Sequence, residues 1–155
     1  SDESVSVGGS GPRGPHGSLY SPLIRERCET TDNTPESPGN YALCYRCHNR
    51  SSILMDESFR KNGTSGKGGH SGHLGTAVNA PCSACHDSHG VKDDEVSGDH
   101  THLMNFDTRT ASGSSPASYP VFMDKGSRSG SCTLMCHGVS HTGDTPDSNG
   151  KTYNY

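Results

Sequence analysis

The sequence predicts a fold made mostly of irregular loops, with a few short α-helices and little or no β-sheet, wrapped around mass that the chain does not itself provide. Three observations predict it. Leu, Ile, Val and Phe together fill only 19 of 155 positions, below the roughly 20% at which disorder competes with folding. From Val91 to Gly130 no hydrophobic period of 3.6 or 2 is sustained. Helix-start signals are short and isolated. Such a chain does not offset its ordering entropy by burying its own side chains. A formal net charge of −4 is too small to hold it open by self-repulsion, so the composition reads as that of a protein awaiting a cofactor.

The charge pattern narrows the partners. Thirteen Lys and Arg against 17 Asp and Glu, with no basic patch, leave no electrostatic footprint for nucleic acid. No apolar run approaches the roughly 18 residues of a membrane span. Ser1-Asp2-Glu3 opens without the charge or apolar stretch of a signal peptide. A soluble chain, already mature if exported, is expected.

Three parts follow from the pass along the chain. Residues 1–17, rich in Gly, Ser and Pro, read as a flexible arm; residues 18–141 form the domain; residues 142–155 are a polar tail. Within the domain, Ser21-Pro22 starts a short helix running to Arg27, and Ser37-Pro38 repeats that signal before Tyr41 to His48. Asn62 to Gly75, with six Gly, reads as a flexible connection carrying His70 and His73. Ala80-Pro81 opens a helical turn over Cys82, Cys85 and His86, closed by Gly90. Val91 to Gly130 reads as irregular. Ser131 caps a last helix over Cys132 to His137, ended by Gly138.

Seven Cys and ten His are the compositional outliers. They form one internal repeat. Cys44, Cys47 and His48, then Cys82, Cys85 and His86, match C-x-x-C-H, the attachment signature of c-type haem. The two thiols add across porphyrin vinyl groups about one helical turn apart, and the next residue, His, binds iron. Cys132, Cys136 and His137 form a third unit with three residues between the thiols. The expectation is three covalently bound haem c groups standing in a stack at the centre of the fold. A zinc site is the bland alternative, since the two C-x-x-C pairs lie 38 residues apart and four thiolates hold Zn²⁺. A disulfide framework is another, though seven is an odd count. Zinc does not require His after each pair, and composition alone places His after all three with a probability of about 3 in 10,000.

Each iron that only shuttles electrons takes a second axial ligand, mainly His or Met. His16, His70, His73, His89, His100, His102 and His141 remain, so supply exceeds demand and three bis-His haems are favoured. His89 lies three residues after His86, and His141 four after His137. On a helical turn each faces the same side as its neighbour, so either would bind a different iron from that neighbour and draw two porphyrins together. Any single spare His has the plain alternative of a solvated loop residue or a propionate partner. Met104 and Met123 are substitutes that would raise a potential, whereas Met55 and Met135 read as packing. Cys28 is the odd thiol: with six Cys consumed it bridges only to another chain, or stays a half-buried free Cys.

Pro15-His16-Gly17-Ser18, Tyr41 to His48, Ser52-Ile53-Leu54, Pro81 to Gly90, His102 to Asp107 and Cys136-His137-Gly138 together resemble exported multihaem c-type cytochromes with doubled C-x-x-C-H motifs, from bacteria that respire metals or other extracellular acceptors. The resemblance spans residues 12–141. It implies electron transfer at the cell surface or in the periplasm, bis-His ligation and a loop fold around a haem stack, with His16, His73, His89 and His102 as distal ligands. Some similar small chains polymerise into extracellular conductive filaments. The polar ends of this chain would gain order from head-to-tail contacts, and such an interface, if it does not close, builds a fibre.

The expected function is therefore electron transfer without catalysis, to redox partner proteins or extracellular acceptors, either as a homopolymer or as a monomeric periplasmic shuttle. A multihaem reductase is the rival within the class. It would need an open axial position, and His follows every attachment pair.

Overall fold

The computed structural model describes residues 24–57, 69–76, 78–90, 100–116, 118–127 and 129–143. The arm 1–17 with His16, the helix start Ser21-Pro22 and nearly all of the tail lie outside these residues. Along the described chain run α1 (Ala42–Tyr45), α2 (Arg50–Leu54) and α3 (Gly69–Leu74), then 3₁₀ turns at Cys82–Ala84 and Thr101–Leu103. Four strands follow: β1 (Ala111–Ser112), β2 (Val121–Gly126), β3 (Ser129–Cys136) and β4 (Val139–Thr142).

The strands form one antiparallel sheet centred on β3. Thr133 pairs with both Val121 and Thr142, and Cys136 with both Ala111 and Val139. Hence β4 occupies one edge of β3, while β2 and β1 share the other. Side chains alternate across a strand, so Cys132, Leu134 and Cys136 project from one face of β3. They meet Phe122 and Ala111 in a small core, with Met104 and Phe106 packed against it.

This sheet overturns the expectation of loops and short helices around three haems with little or no β-structure. Two segments differ most. The third Cys-Cys-His unit, expected on a helix, lies on β3, and β1 and β2 lie within the stretch expected to be irregular. The deciding signal is at residues 137–138. His137 and Gly138 both take positive φ, 50° and 73°, in the two-residue connection between β3 and β4. Positive φ at both central residues is the turn that matches the twist of a tight hairpin. Gly138 therefore acts as a hairpin residue and not as a helix terminator.

The first expected helix is also corrected, since the described part of it, from Ile24 onward, is not helical. Its backbone instead bonds across to the first motif: the Glu29 amide donates to the Asn40 carbonyl at 2.8 Å, and the Leu43 amide to the Arg27 carbonyl at 3.0 Å. The glycine-rich connection carrying His70 and His73 ends in α3. Asp56 holds that helix through the Ser71 amide at 2.7 Å and the Ser71 hydroxyl at 2.6 Å. Gly69 and Gly72 are buried, and α3 packs against α2. Asn49 caps α2 by accepting from the Ser52 amide at 3.1 Å. Among the described residues, no helix is long and apolar enough to cross a membrane.

Candidate haem-attachment and ligand site

The first two motifs share one backbone geometry. In the first, the Cys47 amide donates to the Cys44 carbonyl at 3.2 Å and the His48 amide to the same oxygen at 3.0 Å. In the second, Cys85 and His86 repeat the pattern on the Cys82 carbonyl at 3.3 and 3.0 Å. Each motif is thus a single tight turn that sets its two thiols one turn apart and places His at the end. Pro81 starts the second turn with an extended backbone, fixing the angle at which the chain enters it.

The third motif has a different geometry. On a strand rising ~3.4 Å per residue, Cys132 and Cys136 are ~14 Å apart along the backbone, against ~5.4 Å for a helical turn. They share a face but not a turn. His137 sits at the hairpin tip with Nε2 3.0 Å from a carboxylate oxygen of Asp32.

Six of the thiols nonetheless fall into two groups, Cys28 with Cys44 and Cys82, and Cys85 with Cys132 and Cys136. Cys28, Cys44 and Cys82 lie within hydrogen-bonding reach. Thiol hydrogen bonds from Cys82 and Cys28 pull Cys44 down to about 6, against the opposing effect of burial. Burial, with the neighbouring Cys44 next, pushes Cys28 up to about 11. Burial likewise raises Cys85 to about 12, with Cys136 beside it. Cys132 is raised by burial and by Cys85.

Unmet polar groups mark the same place. Tyr41 is fully buried, and its hydroxyl has no hydrogen-bond partner among the described residues. Neither does the Asn79 side-chain oxygen or the Ser83 hydroxyl. Asn79 and Ser83 flank Cys82 in sequence, and Cys82 acts electrostatically on Tyr41. Buried polar groups in folded proteins normally have partners, from the protein or from ordered water.

Two pairs of imidazoles also meet. His70 and His86 have ring centres 6.2 Å apart, tilted by 37°. His73 and His141 repeat this at 6.3 Å and 38°. The Nδ1 of His73 lies 2.7 Å from the Gly69 carbonyl and that of His86 lies 2.9 Å from the His102 carbonyl. A carbonyl only accepts, so Nδ1 carries the proton in both and the lone pair sits on Nε2, the tautomer of a metal-ligating histidine. Burial pushes His70 down to about 4 and lowers His86 as well, keeping both neutral at physiological pH. Among the described residues no group of three or more His, Cys, Asp or Glu is arranged to cage a bare metal ion.

The other expected ligands are more peripheral. His48 is exposed, although its charge is felt at both His70 and His86. His89 is exposed, 3.4 Å from Asp87. His102 is exposed with Nε2 3.6 Å from Asp124. His16 lies outside the described residues. His70 and His141, ranked lower from sequence, are the ones paired. The His-x-x-His spacing of His70 and His73 was the available signal, hidden by the surrounding glycines.

Comparison with known proteins adds no relative. No protein-family model, curated protein or solved structure matches the chain. The site is read from its own chemistry.

One ion pair braces the first motif. Glu36 accepts from Arg50 Nε at 2.9 Å, from Arg50 Nη2 at 2.6 Å and from the Tyr45 hydroxyl at 2.9 Å, tying the segment before α1 to α2. The Arg50 guanidinium, opposed by burial and helped by Tyr45, holds the Glu36 carboxyl below its ordinary range. A depressed carboxylate stabilises the fold above its unfolded pKa and loses that contribution as pH falls through the folded value. Glu36→Gln is expected to cost about 1 kcal/mol at pH 7, since the Arg50 side is partly exposed. Thermal melts at pH 7 and pH 3 check this, and the gap between wild type and variant narrows at the lower pH.

Proposed function

We propose that the chain is an electron-transfer cytochrome that carries c-type haem on the Cys44/Cys47 and Cys82/Cys85 turns, acting in exported or extracellular respiration. The observation that carries this reading is the shared turn: both motifs present two thiols and a His through the same pair of amide bonds to the first Cys carbonyl. When bound, haem supplies an iron that passes one electron at a time, and the protein sets its spacing, ligands and exposure. Cys44, Cys47, Cys82 and Cys85 hold the macrocycle covalently. His48 and His86 stand at the ends of their turns as the adjacent ligands. The Tyr41 and Ser83 hydroxyls are donors suited to a propionate.

The third unit carries the signature without the turn. Cys132 and Cys136 would have to leave the pairing of β3 with β2, β1 and β4 before both could reach one porphyrin.

Haem staining of a denaturing gel, with intact mass measured on the same sample, tests the proposal. The expected result is a stained band whose mass includes at least two covalent haems, and a third would mean that the β3–β4 hairpin opens on loading. A colourless, folded chain of unmodified mass would end this reading.

A further inference from the structure

Cys28 belongs to none of the three Cys-Cys-His units, yet it is held against the first of them. The Leu43 amide donates to the Arg27 carbonyl at 3.0 Å, and the Glu29 amide to the Asn40 carbonyl at 2.8 Å. These bonds link 27 with 43 and 29 with 40, an antiparallel arrangement that fixes Cys28 between them. Ser37 steadies the return of the loop by accepting from the Asn40 amide at 3.1 Å. Cys44 follows Leu43 directly, and the Cys28 and Cys44 thiols are hydrogen-bonded to each other. Backbones paired in this way run ~5 Å apart, and disulfides bridge Cα atoms roughly 4.4–6.8 Å apart.

Two other thiols compete for Cys44. Cys82 also meets it, but Cys82 is 38 residues away along the chain and Cys28 only 16. The shorter loop closes at a smaller entropic cost. Cys47 is nearer still in sequence but is exposed, whereas Cys28 and Cys44 are both half-buried.

We infer that Cys28 and Cys44 form a reversible disulfide in the chain before haem is attached, which makes Cys28 a redox gate on the first Cys-Cys-His turn. The gating consequence rests on the cytochrome reading proposed above; the bond itself does not. A thiol adds to a porphyrin vinyl group by giving its sulfur to one carbon and its hydrogen to the other, and a disulfide sulfur has no hydrogen to give. Once Cys44 is consumed by haem, Cys28 again bridges only to another chain or stays free.

The oxidant is a small-molecule disulfide. The Cys44 thiolate, favoured by hydrogen bonds from Cys82 and Cys28, attacks one sulfur of that disulfide and releases the first thiolate. Cys28 then loses its proton to solvent and attacks the Cys44 sulfur, forming the Cys28–Cys44 bond and releasing the second thiolate. Two protein thiols are oxidised by two electrons while one disulfide is reduced to two thiols, and a dithiol reductant reverses both steps.

The bond is tested on the full-length chain made without haem attachment, treated with oxidised glutathione, alkylated and digested without reduction. Trypsin leaves Cys28 and Cys44 in one peptide, 28–46, with Cys47 in 47–50 and Cys82 in 68–92. The expected product is an unalkylated peptide 28–46, lighter by two hydrogens, that takes up two alkyl groups after reduction. Alkylated Cys28 and Cys44, or a peptide 28–46 joined to 47–50 or to 68–92, overturns the inference.

The gate is tested by exporting the wild-type chain and Cys28→Ser from cells that attach haem, with and without cystine in the medium. Haem mass on the Cys44/Cys47 and Cys82/Cys85 peptides is read separately, the second turn serving as internal control. Cystine is expected to remove most of the haem from the first turn of the wild-type chain relative to its second, and Cys28→Ser to abolish that loss. An equal effect of cystine on both chains, or none on either, overturns the gate. Absence of covalent haem from both turns without cystine overturns the cytochrome reading instead, and leaves the disulfide to be decided by the peptide map.

Discussion

Replacing Cys82 and Cys85 together by Ser is expected to remove one covalent haem per chain and to disorder the second motif more than the loss of two sulfurs alone would. The turn holding these residues is short, a 3₁₀ segment of three residues from Cys82 to Ala84, and isolated short helices are marginal in water. Cys85 is half-buried with Cys136 nearby, while Cys82 meets Cys44 and acts electrostatically on Tyr41. A covalent macrocycle at this point would join the turns of the first two motifs to the face of the sheet. Without it, the Tyr41 and Ser83 hydroxyls lose a candidate acceptor, at about 1–3 kcal/mol for each that stays buried and unsatisfied. Denatured mass gives the haem count, and urea unfolding of wild type and variant gives the stability change. A wild-type haem count in the double variant would show that the second motif is not an attachment site.

Phe122→Ala is expected to cost about 3–5 kcal/mol, a large share of the stability of a small domain. Phe122 is 7% exposed and belongs to the core cluster with Ala111, Cys132 and Leu134. It pairs directly with Cys132 and lies diagonally over Gly130. A methyl group at Gly130 would fall 2.5 Å from the Phe122 ring, so the ring fills the place where the strand has no side chain. Removing it exposes the β3 backbone and leaves Leu134 as the only large aliphatic residue in the buried set of that cluster. Chemical denaturation followed by far-UV circular dichroism checks this. A loss below ~1 kcal/mol would mean that the sheet is held by its hydrogen bonds and not by this cluster.

The first two Cys-Cys-His turns were legible in the sequence because their determinants are local. Pro81, the one-turn Cys spacing and the terminal His act within a few residues of one another, so no distant contact alters them. The third unit misled for the opposite reason. Ser131 and Gly138 satisfy helix-cap rules locally, yet Val121, Phe122, Val139 and Thr142 compete for the same segment by pairing across strands. Tertiary pairing overrides weak local preference when the helix is only a turn long.

The histidines divide along the same line. That several would be available was readable from their number, but not which ones meet. His70 and His86 are sixteen residues apart and His73 and His141 sixty-eight apart, and no periodicity links such distant positions. Asp56 holding Ser71, the hairpin turn at His137-Gly138 and the face of β4 on which His141 lies bring those rings together.

By itself the sequence determined the shortage of apolar side chains, the two thiol-and-imidazole turns and an excess of candidate ligands. Each is a matter of composition or of neighbours along the chain. Only the tertiary structure decided that the last Cys-Cys-His unit is a strand and that α3 faces two separate imidazoles. These depend on strand pairing and packing between residues far apart in sequence, where the free energy belongs to the contact and not to either segment alone.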